Sequence, residues 1–250
     1  DEAKKLSGAQ GRLCRLHLGS GRLRVLLDDP DGSVRDPQLH YDGHTILFAY
    51  TQGQGDGIEW SPRASFHVFR VNCDGTGLVQ LTDGPWNDFD PCYLPDGGCA
   101  FITTRSQTFG RCHGGRYVPT YMLFRANLDG TGIRQLSFGE ANEWDPAVLH
   151  DGRIVYSRWD YIDRENGLGS KFWTCYPDGR NPRAPHGNYP KRLADRPWAE
   201  LDILAIPGSE KYIAVAAPHH GHAGQQSQPA QLQRVTGHSL RSGDQPLQRL

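Results

Sequence analysis

The sequence contains one methionine in 250 residues and no long apolar run. Its apolar stretches, such as 213–217, are far shorter than the roughly 20 residues that a membrane-spanning helix requires. Lys and Arg number 27 against 28 Asp and Glu, so the formal net charge of -1 provides no basic field for nucleic acid. The G-x-S-x-G nucleophile elbow, the Walker loop and the H-E-x-x-H zinc motif are also missing. These absences argue against a membrane span, nucleic-acid binding and the commonest hydrolase classes.

The composition favours a β-rich domain. With 30 glycines, 17 prolines and 10% aromatic residues, it is typical of many short strands joined by tight turns. Six cysteines neither require nor exclude disulfides, and we select Cys92 and Cys112 as the candidates for oxidation or metal binding. The chain begins at Asp1, with neither an initiator methionine nor a signal peptide, which we interpret as an excised or incomplete chain.

Two turn markers recur along the chain. The first is Asn-x-Asp-Gly-Thr-Gly, at 72–77 and 127–132, with an echo at 176–179. The second is an Asp-Pro followed six residues later by Asp-Gly, and its copies begin 54, 55 and 57 residues apart. These copies start at Asp36, Asp90, Asp145 and, in a decayed form, Asp202. A period of this length indicates repeating supersecondary units.

Each unit contains the pattern of four antiparallel strands, which we label a to d. Strands a and b flank the first Asp-Gly turn, and strands c and d flank the second, because Gly adopts the positive φ of tight hairpin turns without strain. No helical period lies between them. Four strands about every 55 residues predict the blades of an all-β protein, a β-propeller.

The ends of the pattern predict an incomplete ring. The chain starts with a c-d pair at 13–18 and 23–27 and finishes with an a-b pair near 202–217, so it holds three whole blades and two halves. The halves either pair to close a four-bladed ring or are cut edges of a larger ring, which we favour because closure would bend loosely spaced repeats tightly. We therefore expect a polar lead at 1–12, a partial propeller at 13–222 and a disordered, Gln-rich tail at 223–250.

The repeats resemble those of TolB-type propellers. The text between about Leu13 and His222, including CHGGRYVPTYMLFRANLDGTG, GRIVYSRWDYIDR and APHHGH, further resembles the propeller domain of the hydrazine synthase alpha subunit and its planctomycete-like relatives. The resemblance implies an extracytoplasmic propeller, periplasmic or secreted, that is sometimes joined to c-type haem modules. A c-type haem requires C-x-x-C-H, and this chain has no such run, since Phe109 stands three residues before Cys112-His113. Covalent haem attachment is therefore not expected here.

The long b-c and d-a connections all lie on one face of a propeller, which we call the loop face. Elaborated loops on a rigid scaffold commonly carry function, so we expect any binding there. The aromatic residues either form a platform for a glycan or peptide or cap the hydrophobic wedge between blades. The predicted binding-face residues are Trp60, Trp86, Glu143, Trp144, Arg158, Trp159 and Trp198.

Three repeats carry an acid-x-Asp pair just before strand a: Asp88 with Asp90, Glu143 with Asp145, and Glu200 with Asp202; the first repeat has Val34 instead of an acid. If strand a is innermost, these carboxylates could hold a hard cation near the channel mouth. The alternative, which we favour, is that the second Asp accepts backbone N–H bonds that set the approach to strand a.

A transition-metal site is a further hypothesis. Imidazole and thiolate are strong ligands for such ions, and two loops of the predicted loop face supply them. The alternative is that they are exposed loop residues. The candidate ligands are Cys112, His113, His219, His220 and His222.

Two functions follow from these observations. We expect a non-catalytic propeller module whose loop face binds a protein, a glycan or a small molecule, or the flanking domains of a longer parent chain. The alternative is the propeller domain of a haem- or metal-dependent redox enzyme whose site is completed by other domains. Stoichiometric metal or haem in the full-length parent would distinguish the second from the first.

Overall fold

The computed structural model describes residues 11–52, 65–110, 119–139, 142–160, 170–185, 199–209, 211–217 and 231–233. Within these ranges the chain forms only strands, turns and irregular segments, which confirms the all-β prediction. No described segment therefore provides a helix long and apolar enough to span a bilayer. The strands are β1 Arg12–His17, β2 Arg22–Asp28, β3 Ser33–Leu39, β4 Thr45–Thr51, β5 His67–Asn72, β6 Val79–Gln80, β7 Asp88–Tyr93, β8 Gly98–Thr103, β9 Met122–Asn127, β10 Arg134–Gln135, β11 Glu143–Val148, β12 Ile154–Trp159, β13 Ser170–Cys175, β14 Ala199–Ala205, β15 Tyr212–Ala217 and β16 Gln231–Gln233.

The strands assemble into the blades of a partial β-propeller. Blade 1 is β3 to β6 and blade 2 is β7 to β10, each a four-stranded antiparallel sheet in chain order. Blade 3 is β11 to β13, with Arg183 bridging to Thr174 in the place of a fourth strand. The N half-blade is β1 and β2, and the C half-blade is β14 and β15. The predicted content of three blades and two halves is confirmed.

The two half-blades do not pair with each other. In the described part of the chain β1 pairs with β2 alone, and the free edge of β15 is taken by β16. The predicted cut edges are thus found in place of a four-bladed closure. β16 lies inside 223–250, the range in which a disordered tail is expected. An edge strand needs only main-chain hydrogen bonds, so the sequence pattern does not reveal it.

Strand a bends at the Asp-Pro marker of every blade. The register of the a-b pair shifts there, between Arg35 and Gln38 in blade 1 and at the matching points of the others. The aspartate at each shift has a left-handed backbone, a conformation that Asp tolerates better than most residues. Their φ values are 54° at Asp36, 44° at Asp90, 51° at Asp145 and 50° at Asp202.

Neighbouring blades pack through apolar side chains of strands a, b and c. One cluster joins blades 1 and 2, another joins blades 2 and 3, and a third joins blade 3 to the C half-blade. Each seam has a buried centre with partly buried residues around it, as expected for a repeat that cannot bury its own faces alone. Representative members are Leu47 with Phe101 and Phe124, Ala100 with Ile154 and Tyr156, and Val155 with Ile203 and Ala214.

The buried cysteines belong to these seams. Cys92 is 3% exposed and packs in the cluster between blades 2 and 3, and burial raises the pKa of its thiol. The suggestion that Cys92 is available for oxidation or metal binding is therefore wrong. Cys99 and Cys175 are likewise buried, and burial raises the pKa of each to about 12. All three act as packing residues.

The face opposite the loop face, which we call the turn face, is built from short turns locked onto the next blade. In strand c of three successive units an arginine donates to a carbonyl in the next c-d turn: Arg15 to Cys73, Arg70 to Leu128 and Arg125 to Pro177. In the c-d turns of blades 1 to 3 the glycine also lies against the backbone at the end of strand d in the preceding unit. At Gly130, φ is 85° and an added Cβ would lie 2.5 Å from the Leu81 carbonyl oxygen.

Candidate functional site

A chain of aspartates runs around the propeller axis. Asp36 Oδ2 accepts the backbone N–H of Asp90 at 3.2 Å, Asp90 Oδ2 accepts that of Asp145 at 3.3 Å, and Asp145 Oδ2 accepts that of Asp202 at 3.2 Å. We call these four residues the axial aspartates. The expected role as backbone acceptors is confirmed, but the donor belongs to the next blade and not to the local turn.

The axial aspartates surround a cavity of about 190 Å³. Arg35 is the cation beside it: its Nε donates to Asp36 Oδ2 at 2.6 Å, its Nη2 lies 3.8 Å from Asp90 Oδ1, and its guanidinium lies 4.5 Å from the Phe89 ring centroid. The walls are Asp36, Pro37, Gln38, Asp90, Pro91, Asp145, Pro146, Ala147, Asp202, Ile203 and Leu204.

Crowded carboxylates and burial change the acidity of the axial aspartates. Burial and the neighbouring carboxylates of Asp36 and Asp145 raise the pKa of Asp90 well above its usual value. Burial and Asp202 raise the pKa of Asp145 to about 6. No group of three or more His, Cys, Asp or Glu side chains in the described residues is arranged to hold a metal ion. The cation hypothesis therefore gains no support from the described residues of this cavity.

A second set of acids is buried where the blades meet the loop face. Asp88, Glu143 and Glu200, the first members of the acid-x-Asp pairs, are 0 to 4% exposed. We call them the seam acids. In blade 2, Asp88 is held by Arg105, whose Nε donates to Oδ1 at 3.1 Å and whose Nη2 donates to Oδ2 at 2.8 Å. His67 Nδ1 lies 3.4 Å from Asp88 Oδ2. This bidentate pair fixes the start of strand a.

Glu143 in blade 3 is satisfied on one side only. Its Oε2 accepts the Leu123 backbone N–H at 2.8 Å and the Ser137 hydroxyl, whereas its Oε1 has no hydrogen-bond partner among the described residues. Burial raises the pKa of Glu143, while its hydrogen bonds and the Arg158 guanidinium oppose that rise.

The cations near Glu143 and Glu200 are placed differently from Arg105, the cation that binds Asp88. Arg158 pairs with Asp160 at 2.8 Å and stacks 4.4 Å from the Trp173 ring centroid. Glu200 has Lys171 of blade 3 as its cation; burial raises the pKa of Glu200 to about 7 in spite of Lys171 and a hydrogen bond from the Phe172 backbone. The seam acids thus share a position but not a partner.

The structure brings some of the predicted binding-face residues together. Glu143 and Arg158 are opposite each other in the β11–β12 register, and Trp159 follows with its N–H donating to Asn142 at 2.8 Å. Trp144 packs against the apolar cluster of Phe89 and Tyr121, so it caps the wedge between blades. Trp86 is half-buried against Gly84 in a d-a loop. The remaining predicted residues lie outside the described residues: Trp60, Trp198, Cys112, His113, His219, His220 and His222.

The sequence analysis did not predict the cations that lie beside the seam acids and the axial aspartates. Arg105 lies two residues beyond strand b, Lys171 lies in strand c of the preceding blade, and Arg35 lies beside the first axial aspartate. None of them recurs at a fixed place in the repeat. Ser137, which donates to Glu143, does recur in the repeat. Thr82 occupies the same position in the preceding blade: the Thr82 hydroxyl accepts the Val68 backbone N–H, and the Ser137 hydroxyl accepts the Leu123 backbone N–H.

No protein-family model matches the chain. Among curated proteins, hydrazine synthase subunit alpha of Kuenenia stuttgartiensis is 22% identical over 258 residues, which cover 83% of this chain and 31% of that protein. The chain thus spans about a third of the length of this relative. The predicted resemblance is confirmed.

Solved structures show the fold. Kuenenia stuttgartiensis hydrazine synthase matches with a TM-score of 0.69 and 20% identity, over 83% of this chain and 32% of that one. The nidogen/laminin complex matches with a TM-score of 0.59 and 13% identity, over 84% and 69%. TolB from Acinetobacter baumannii matches with a TM-score of 0.48 and 13% identity, over 81% and 45%. At these identities the likeness to hydrazine synthase and to the nidogen/laminin complex establishes the propeller fold alone.

Proposed function

We propose that this chain is a non-catalytic propeller domain of a larger extracytoplasmic protein and that its loop face binds a protein partner. One observation carries the proposal: the seam acids and their cations are buried at the loop-face ends of successive strands a. Buried ion pairs contribute little net stability but fix geometry. They therefore hold the strand ends, from which the long loops leave, in a defined arrangement.

The two faces differ in a way that supports binding on one of them. The turn face consists of short Asp-Gly turns closed onto the next blade by arginine hydrogen bonds. The loop face instead has Arg158 stacked on Trp173 with Trp159 beside it. Arginine and tryptophan are the residues most often found at the energetic centres of protein interfaces. The matched relative is itself a subunit, which favours a protein or a flanking domain over a glycan.

Oxidative footprinting of the full-length parent protein tests this proposal. Hydroxyl-radical labelling of Trp86 and Trp159 should fall several-fold in the parent assembly relative to the isolated domain. The matched controls are Tyr41 and Tyr176, which are 66% and 43% exposed on the turn face and should be labelled equally in both samples. Protection of the tyrosines with full labelling of the tryptophans would assign the partner to the wrong face and overturn the proposal.

The second candidate is a domain of a redox enzyme, and the match to a hydrazine synthase subunit favours it. A covalently attached haem does not fit this chain, since C-x-x-C-H is absent and Cys92, Cys99 and Cys175 are buried packing residues. A metal site on His113 or His222 would be tested by metal analysis of the full-length parent. Metal that is stoichiometric and lost in both His113→Ala and His222→Ala would favour the redox domain over the scaffold.

A further inference from the structure

Blade 3 has an anion at the position where blade 2 has the cation of its seam acid. Asp88 and Glu143 begin strand a of blades 2 and 3. Arg105 binds both carboxylate oxygens of Asp88. The pairing of strands a and b makes Asp160 the equivalent of Arg105 in blade 3. The charge that fixes the seam acid of blade 2 is therefore reversed in the next blade.

The preceding blade provides no basic side chain to blade 3 either. His67 of blade 1 lies 3.4 Å from Asp88 Oδ2, and Lys171 of blade 3 is the cation of Glu200. The pairing of strands b and c places Met122 at the equivalent position of blade 2. The seam acid of blade 3 therefore has an uncharged neighbour where the other two seam acids have a basic one.

One oxygen of Glu143 is consequently left without a hydrogen bond. The residue is 0% exposed, and its Oε1 has no partner among the described residues. A Cβ added to Gly139 would lie 3.3 Å from this Oε1 and 3.3 Å from both Cζ and Nε of Arg158. The unpartnered oxygen and the guanidinium thus border the same small space. A neutral carboxyl tolerates such a position better than a carboxylate, whose charge is costly to bury without a donor.

Arg158 is the cation nearest to this oxygen, but it is engaged elsewhere. Its Nε donates to Asp160 Oδ1 at 2.8 Å, and its guanidinium carbon lies 4.4 Å from the Trp173 ring centroid. Two carboxyl groups therefore compete for one guanidinium. In the structure Asp160 holds it, and the charge of Glu143 decides whether that arrangement persists.

We propose that Glu143 is the sensor of a pH-dependent switch in blade 3 and that Arg158 is the side chain that moves. While Glu143 is neutral, Arg158 stays with Asp160 and Trp173. When Glu143 releases its proton to the solvent, the guanidinium turns to Oε1 and donates a charge-assisted hydrogen bond to it. The Trp173 ring then loses its cation–π contact.

The groups around Glu143 set the direction of the change. Burial raises the pKa of Glu143, its own hydrogen bonds and Arg158 oppose that rise, and Asp160 adds to it. Burial also raises the pKa of Tyr156 and of Cys175, so these two groups keep their protons while Glu143 titrates. Blade 2 contributes the hydrogen bonds to Oε2. The titratable and charged groups that face Glu143 from β12, β13 and the residue after β12 are Tyr156, Arg158, Cys175 and Asp160.

The switch also affects the loop face. Arg158 stacked on Trp173 is part of the surface to which we assign partner binding, and ionisation of Glu143 removes the guanidinium from it. This consequence rests on the proposed function. The switch itself needs no partner and is measured on the chain alone, so a chain without the switch would leave the proposed partner binding untouched.

Fluorine NMR of the purified chain labelled with 5-fluorotryptophan tests the proposal. The Trp173 signal, assigned by its loss in Trp173→Phe, should shift along one titration curve with a midpoint above the ordinary Glu value of 4.5. Glu143→Gln keeps the size of the side chain but does not titrate, so its Trp173 signal should stay at the low-pH position. The matched control is Glu200→Gln, at the equivalent seam position, in which the Trp173 signal should titrate as in the parent chain.

Asp160→Asn provides a second measurement, which also applies if far-UV circular dichroism shows that Glu143→Gln does not fold. It removes the carboxylate that holds Arg158 and that raises the pKa of Glu143. The midpoint at Trp173 should therefore fall by roughly half a pH unit or more. Four results would overturn the switch: a Trp173 signal that does not move with pH, a titration that persists in Glu143→Gln, a titration lost in Glu200→Gln, or an unchanged midpoint in Asp160→Asn.

Discussion

Two sets of aspartates recur with the same period, but one set makes local hydrogen bonds and the other makes hydrogen bonds to the next blade. The turn aspartates precede the glycines of the Asp-Gly turns, and each accepts the backbone N–H two residues further on. The axial aspartates accept the N–H of the residue 54, 55 or 57 positions further on, in the next blade. The turn set is Asp42, Asp74, Asp96, Asp129, Asp151 and Asp178.

The environments of the two sets explain the difference in acidity. Hydrogen bonds to the ionised form lower the pKa of four turn aspartates with burial as a smaller opposing effect. At Asp96 and Asp151 burial is the largest single effect and raises the pKa, but hydrogen bonds and a neighbouring arginine together lower it. At Asp90 and Asp145, burial and neighbouring carboxylates raise the pKa. The turn aspartates therefore stabilise their own hairpins, whereas the axial aspartates connect one blade to the next. Repeat proteins owe their cooperativity to connections of the second kind.

Among the predicted substitutions, Gly130→Ala should lower the stability most. It tests whether a c-d turn depends on its contact with the preceding blade. The new Cβ would need a left-handed backbone and would lie 2.5 Å from the Leu81 carbonyl oxygen of the preceding blade. Strain and overpacking together should lower the free energy of unfolding by roughly 2–5 kcal/mol. Urea unfolding followed by tryptophan fluorescence measures this loss.

The matched control is Gly43→Ala, in the a-b turn of blade 1. Gly43 also has a positive φ, of 74°, but nothing lies within 4 Å of an added Cβ. This substitution should therefore cost only the conformational part, about 1–2 kcal/mol. Equal losses at the two positions would show that the c-d turn does not depend on its contact with the preceding blade.

Asp145→Ala should have the next largest effect. It removes the acceptor of the Asp202 N–H and with it one hydrogen bond between blade 3 and the C half-blade. An unsatisfied donor costs about 1–3 kcal/mol, which urea unfolding can resolve. Asp145→Asn keeps an acceptor oxygen and is the control. A loss as large for Asn as for Ala would mean that the charge, and not the hydrogen bond, makes the connection.

The turn aspartates were predictable from sequence and the contacts of the axial aspartates were not, for a physical reason. An Asp-Gly turn is decided by residues next to it in the chain, so its marker locates both hairpins of a blade. The donor to Asp90 is Asp145, and only the angle between two blades brings them together. The cations of the seam acids follow no repeat either, since Arg105 follows strand b of its own blade and Lys171 lies in strand c of the preceding blade. Long-range partners of this kind require the assembled sheets.

The next effect is the pH dependence of stability, which should distinguish the buried acids from the turn aspartates. Asp145 represents the axial aspartates and Glu200 the seam acids. The folded-state pKa values of Asp145 and Glu200, about 6 and about 7, lie above the ordinary values of 3.8 and 4.5, so the folded chain binds more protons than the unfolded chain in between. The stability that these groups contribute is full below about pH 4 and is lost as the pH rises through 6 and 7, on the order of 1 kcal/mol for each pKa unit. Unfolding in urea at pH 5 and pH 8 measures the slope.

Asp145→Asn and Glu200→Gln should each flatten that slope, because neither amide titrates. Both variants should be more stable than the parent chain at pH 8, and the difference should shrink as the pH falls towards 4. The double variant should be flatter than either single variant, since the two carboxylates belong to different sets of buried acids and make separate contacts. A parent chain whose stability rises from pH 5 to pH 8 would contradict the raised pKa values.

Asp129→Asn should have the smallest effect and opposite pH behaviour. Asp129 Oδ1 accepts from the Thr131 backbone at 2.9 Å and from its hydroxyl at 2.7 Å, and these bonds lower the pKa of the carboxyl. Its contribution is therefore present above the ordinary value of 3.8 and lost only as the pH falls through the lowered folded-state value. Since the amide oxygen keeps one acceptor, the melting temperature between pH 5 and pH 8 should barely change, while the parent chain should lose more stability than the variant between pH 4 and pH 2. A variant that instead changes the slope between pH 5 and pH 8 would place Asp129 with the axial aspartates and remove the distinction between the two sets.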